Sequence, residues 1–126
     1  MNEQICILYI DDEPDIRLIV EMSLRMRPEI DVRTADGGEE GLRLLAGGLS
    51  PDLVMIDVMM PGMSGPEVLA KLKADPSTAA IPVIFVTARA QPHDIADYVA
   101  KGANSVITKP FEPISLADQV LSILRS

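Results

Sequence analysis

Apolar residues along this chain gather in two alternating kinds of run. Short stretches rich in β-branched residues lie at Ile5–Ile10, Ile30–Thr34, Leu53–Ile56, Val83–Val86 and Ser105–Thr108. Three of them are apolar almost throughout, the pattern of strands covered on both faces. The second, Ile30-Asp31-Val32-Arg33-Thr34, alternates with period two and predicts an edge strand with one wet face. Between these runs the spacing turns helical. Ile16, Ile19, Val20, Ser23 and Leu24 share one face, with Pro14 placed in the first turn. Leu42, Leu45 and Ala46 mark a second helix, ended by Gly47-Gly48. Val68, Leu69 and Leu72 mark a third, with Ser64 as N-cap and Pro76 beyond its end. Ile95, Tyr98 and Val99 mark a fourth, closed by Gly102. Leu116, Val120, Leu121 and Leu124 mark a fifth.

Strand and helix therefore alternate five times. Such alternation implies an α/β fold, with a parallel sheet, right-handed crossovers and helices on both faces: a three-layer (βα)5 sandwich. The half-wet second strand fits the edge of a sheet ordered 2-1-3-4-5. At 126 residues the whole chain, 1–126, is expected to be one domain. The initiating Met and the stop just after the fifth helix lead to the expectation of a free-standing protein.

Composition narrows the function classes. Nineteen acids against eleven bases give a net charge of -8, which argues against a nucleic-acid binder and fits a protein that binds cations. No apolar stretch approaches the ~20 residues that span a bilayer, and the N-terminus lacks a signal peptide's basic start and apolar run. No membrane partner and a cytoplasmic location are expected. The lone Cys6 reads as a buried small hydrophobe. The lone His93 should be exposed, with no second His or Cys patterned for a metal.

In open α/β sheets ligands bind beyond the carboxyl ends of the strands, where strand order reverses. Asp11-Asp12-Glu13 follows the first strand, Asp57 the third, Thr87 the fourth and Lys109 the fifth. The convergence of polar residues at one end of the sheet is the informative observation. Clustered carboxylates raise one another's pKa or recruit a cation, and oxygen ligands suit Mg²⁺. A plainer alternative has Asp11 and Asp12 capping the first helix. An acidic loop would repel a phosphate unless a metal lay between them. With Mg²⁺, however, a phosphoryl group can be held beside a carboxylate that acts as nucleophile. Lys109 can offset charge on the transferring group, and the Thr87 hydroxyl can donate to a phosphoryl oxygen.

These residues, in the motifs Ile10-Asp11-Asp12-Glu13-Pro14, Asp57-Val58-Met59-Met60-Pro61-Gly62-Met63-Ser64-Gly65, Thr87-Ala88 and Lys109-Pro110-Phe111, carry a resemblance over essentially the whole chain. The chain resembles the receiver domain of two-component response regulators, which has a flavodoxin-like fold. The resemblance implies phosphorelay signalling: a phosphoryl group taken from a histidine kinase or a histidine phosphotransfer protein onto Asp57. It implies Mg²⁺ held by Asp12, Asp57 and the Met59 carbonyl, with Asp11 acting through a metal-bound water. Thr87 and Lys109 would contact the phosphoryl group, and Lys109-Pro110 would be cis. Apart from its own phosphorylation and dephosphorylation, such a protein is not an enzyme.

The match has one departure. Three residues before Lys109, where the family usually carries a Tyr or Phe that swings inward on activation, stands Val106. The output surface is still expected on helix four, strand five and helix five, toward a downstream protein. Met59 and Arg89, two residues after Asp57 and Thr87, predict a long-lived phosphoryl group, because neither orients an attacking water well. The rival readings are a dehalogenase-like phosphatase, a pseudo-receiver that only binds proteins, and a receiver fragment of a larger hybrid kinase. The phosphatase requires a second acid where Met59 stands.

Overall fold

A computed structural model describes residues 4–125, so Met1–Glu3 of the predicted signal-free terminus and Ser126 lie outside the described residues. Five strands alternate with five helices: β1 (Ile5–Ile10), α1 (Pro14–Leu24), β2 (Ile30–Ala35), α2 (Gly38–Ala46), β3 (Leu53–Asp57), α3 (Gly65–Ala74), β4 (Val83–Thr87), α4 (Pro92–Ala100), β5 (Ser105–Thr108) and α5 (Leu116–Leu124). All strand pairs are parallel, in the order β2-β1-β3-β4-β5. The alternation, the strand order and the edge position of β2 follow the sequence pattern.

Two cores lie on opposite faces, because successive strand side chains point opposite ways. Ile7 and Tyr9 of β1 join Val20, Leu24, Val120 and Leu121 of α1 and α5. Leu8 and Ile10 join Val54, Ile56, Phe85, Leu69 and Tyr98 under α2, α3 and α4. Ser64 and Glu67 form a reciprocal capping box at the start of α3, as Ser64 promises in the sequence. Gly65 has a stricter role. A Cβ there would meet the Asp57 carbonyl oxygen at 2.8 Å, so only glycine lets the start of α3 lie against the end of β3.

Three burial expectations need correction. Cys6 is only partly buried, because β1 pairs with β3 only from Ile7 onward and Cys6 sits at the open end of that pairing. Burial, together with Asp31 and Asp52, pushes its thiol up, so it is a poor nucleophile. Of the predicted inward face of α4 only Tyr98 is buried, while Ile95 is 37% and Val99 50% exposed. A nine-residue helix whose one large ring meets the core lifts its other apolar residues off the sheet. On α1, Ile19 is likewise exposed, beside Leu18 and Met22. His93 is exposed as expected.

Candidate functional site

The upper rim of the sheet is built by strand register. Ile10 lies beside Ile56, and Asp57 beside Val86, so the residues ending β1, β3 and β4 emerge together. Carboxylate oxygens of Asp11, Asp12, Glu13 and Asp57 all fall within 4.8 Å of one another. Asp11 and Asp57 are buried, Asp12 is half-buried and Glu13 exposed. Lys109 reaches in from the end of β5, its Nζ 3.3 Å from Asp11 Oδ2 and 3.3 Å from Asp57 Oδ1.

Asp11 does not cap α1. The helix starts at Pro14 with Glu13 as its N-cap and no side-chain cap, and Asp11 is buried instead. Its Oδ1 accepts the Glu13 N–H at 3.0 Å, and its Oδ2 accepts the Tyr9 hydroxyl at 2.6 Å. Its backbone is held too: its N–H donates to the Ala35 carbonyl, and its own carbonyl accepts Arg17 Nη1 at 2.8 Å.

The electrostatics follow from burial and crowding. Burial, reinforced by the negative charge of Asp11, pushes Asp57 up from 3.8 to about 6, against the opposing pull of Lys109. Burial alone would lower Lys109, but Asp11 and Asp57 outweigh it and hold the ammonium above its ordinary value. Burial and the bond to Asp11 hold the Tyr9 phenol far above its ordinary value, so it remains a proton donor.

Thr87 ends β4, buried, on the same rim but outside the acidic cluster. Its Oγ1 accepts the Arg89 N–H at 2.9 Å. Met59 lies in the loop after β3 and is 63% exposed, whereas Met60 is buried and Met63 packs against the core that includes α3. Lys109-Pro110 is cis. The sequence therefore places Asp11, Asp12, Asp57 and Lys109 together correctly. It misses Glu13 as a fourth carboxylate, though Glu13 stands in the same acidic run. It also misses Tyr9 and Arg17. Tyr9 lies two residues before Asp11 in an apolar strand, and its polar end was the available signal.

The donors present fit a small hard cation. Four carboxylates converge, two of them buried, with the single ammonium of Lys109 set against Asp11 and Asp57, a set of hard oxygen donors that suits a divalent ion.

Comparison with known proteins now places the chain. Residues 7–121 match the response regulator receiver domain, and the chain belongs to that family. It is 40% identical over 119 residues to the DNA-binding dual master transcriptional regulator RpaA of Synechocystis, covering 94% of this chain and 48% of RpaA. It is 39% identical over 121 residues to the response regulator PleD of Caulobacter vibrioides, covering 94% of this chain and 26% of PleD. The chain thus spans about half or less of these curated relatives. Among solved structures, the chemotaxis response regulator CheY4 of Vibrio cholerae superposes with a TM-score of 0.85 at 28% identity, over 95% of this chain and 98% of that one. A signal receiver domain of a histidine kinase from Syntrophus aciditrophicus gives 0.81 at 32% identity, over 95% and 89%. The chain is a receiver domain of the two-component signalling class, with the flavodoxin-like receiver fold.

Proposed function

We propose that this receiver is a Mg²⁺-dependent phosphoacceptor whose nucleophile is Asp57. The observation that carries the reading is the buried Asp57 carboxylate, bridged by Lys109 and crowded by Asp11, Asp12 and Glu13. An Asp57 oxygen forms a bond to phosphorus of a phosphohistidine. The P–N bond breaks, its electron pair stays on the imidazole, and an acyl phosphate remains. Asp12, Asp57 and the Met59 carbonyl would hold Mg²⁺, with Asp11 acting through water; the ion supplies charge compensation for the phosphoryl oxygens. Lys109 already stands on Asp57 and balances the same charge. The Thr87 hydroxyl, at the neighbouring strand end, is in place to turn from the Arg89 N–H toward the new phosphoryl group.

The donor in this reading is a histidine kinase or a histidine phosphotransfer protein. An apolar groove of about 320 Å³ beside Lys109, lined by Ile16, Ile19 and Phe111, supports docking of an apolar protein surface next to Asp57. The exposed Ile95 and Val99 on α4 support an output face of α4, β5 and α5 toward a downstream protein. With a net charge of -8, no nucleic-acid role is proposed. No described helix is long and apolar enough to cross a membrane, which supports a cytoplasmic setting. The whole chain is proposed to act as one domain that catalyses nothing beyond its own phosphorylation and dephosphorylation. With Met59 and Arg89 both exposed and unsuited to orienting water, the phosphoryl group is long-lived.

Incubation with Mg²⁺ and a small phosphodonor, followed by intact mass, tests the reading. One phosphoryl adduct is expected, lost without Mg²⁺ and lost in Asp57→Asn. An unmodified wild-type protein under every donor would sink it in favour of a binding-only pseudo-receiver. Loss of the adduct within seconds would overturn the long lifetime. A phosphate mimic on Asp57 should shift amide resonances of α4, β5 and α5; unchanged resonances there would remove the output face.

A further inference from the structure

Tyr9 is wholly buried, and filling that space does not require a hydroxyl. Phenylalanine would occupy nearly the same volume without burying a polar atom, which costs free energy unless the atom is hydrogen-bonded. The hydroxyl is spent on one partner, Asp11 Oδ2, at 2.6 Å, the short length of a charge-assisted bond. Asp11 is thereby held through every polar atom it has: N–H to Ala35, carbonyl to Arg17, Oδ1 to Glu13 and Oδ2 to Tyr9. Lys109 shares that same Oδ2, but at 3.3 Å and through a flexible stem. When Lys109 turns to a phosphoryl group on Asp57, the Tyr9 hydroxyl is what stays on Asp11.

We infer that Tyr9 is a positioning residue that locks the Asp11 carboxylate and so sets the site's preference for Mg²⁺ over a larger divalent cation. The inference rests on the proposed metal reading of the site and deepens it. Mg²⁺ demands near-ideal geometry at short distance and keeps its waters; Ca²⁺ takes more oxygens at looser geometry. A carboxylate whose two oxygens are occupied by protein donors cannot rotate to offer a further direct ligand. That favours a small hydrated ion. Without the Tyr9 hydroxyl, Oδ2 keeps only the longer contact to the flexible Lys109 stem, so Asp11 gains room to rotate, which disorders the site for Mg²⁺ and offers Ca²⁺ an added oxygen. Partners behind metal ligands typically alter metal affinity by about 10–100-fold when removed.

Isothermal titration of the full chain with MgCl₂ and with CaCl₂, for wild type, Tyr9→Phe and Tyr9→Leu, tests this without any phosphodonor. The ratio of the two dissociation constants should move roughly tenfold toward Ca²⁺ in Tyr9→Phe. Tyr9→Leu should give the same ratio if it folds, because the hydroxyl and not the ring decides it. If wild type binds Mg²⁺ and the ratio in folded Tyr9→Phe stays within about twofold, well below that outer-shell range, Tyr9 only fills the core and the inference is overturned. If wild type binds neither ion, the metal reading itself fails and takes the inference with it.

Discussion

The rim above β1 and β3 and the flank formed by α4 and β5 are built on opposite terms. On the rim, charge is buried and held. Asp11, Asp57 and Tyr9 are buried, and among the described residues no buried side-chain polar atom lacks a partner. On the flank, apolar groups are left in water. α4 inserts Tyr98 alone, edge-on against Phe85 with ring centroids 5.3 Å apart, while Ile95 and Val99 stay exposed and Val106 is only half-buried. On the proposed function, with Asp57 receiving and the α4 face reporting, the contrast assigns different physics to the two tasks. Chemistry at a carboxylate needs groups that do not move before reaction. A reporting surface needs an element whose displacement costs little. The Val106 departure fits this division: without a ring at that position, Tyr98 of α4 is the aromatic linking the flank to β4.

On the proposed function, replacing Asp57 with Asn has the largest effect on the rim. No phosphoryl adduct should form, whatever the donor, and intact mass reads the loss. Next in size is the joint between the two regions. Phe85→Ala empties the space under Tyr98 and should cost about 3–5 kcal/mol in denaturant melts. Val106→Ala, at a half-buried site, should cost about 1 kcal/mol or less, towards the low end of such losses. Equal costs would mean that Val106 is packed as tightly as the Phe85 ring beneath Tyr98.

A smaller effect concerns the charge stored on the rim. Asp57 keeps its proton up to about pH 6 in the folded protein but releases it at its ordinary 3.8 when unfolded. Between those values the folded state binds more protons, so stability falls as pH rises through the window. Without divalent cations the loss at neutral pH should be on the order of 2 kcal/mol. Asp57→Asn should abolish that slope and melt higher than wild type at pH 7. A wild-type stability that rises from pH 4 to 6 by an amount Asp57→Asn removes would contradict the raised carboxyl. The smallest stability change belongs to the exposed α4 residues: Ile95→Ser and Val99→Ser should stay within about 0.5 kcal/mol. They should nonetheless weaken capture of a partner by the phosphorylated form, as a pull-down would show.

The period of the apolar pattern was enough to read ten elements, the parallel sheet and the edge position of β2, because strand and helix periods are local properties of the chain. The rim was equally legible in Asp11, Asp12, Asp57, Thr87 and Lys109, each placed at the end of an apolar run. What stayed hidden depends on which atoms meet across the fold. Helical spacing made Ile95, Tyr98 and Val99 equivalent, and only docking of a short helix on the sheet chose Tyr98. Cys6 looked like any core residue until the offset start of the β1–β3 pairing left it at an open end. Tyr9 carries no mark in the sequence beyond its place in an apolar strand. Its hydroxyl gained a role only when the chain turned back two residues later and set the buried Asp11 carboxylate 2.6 Å away. Hydrophobic periodicity is written along the chain, whereas a hydrogen bond or a raised carboxyl is set by distances that only folding creates.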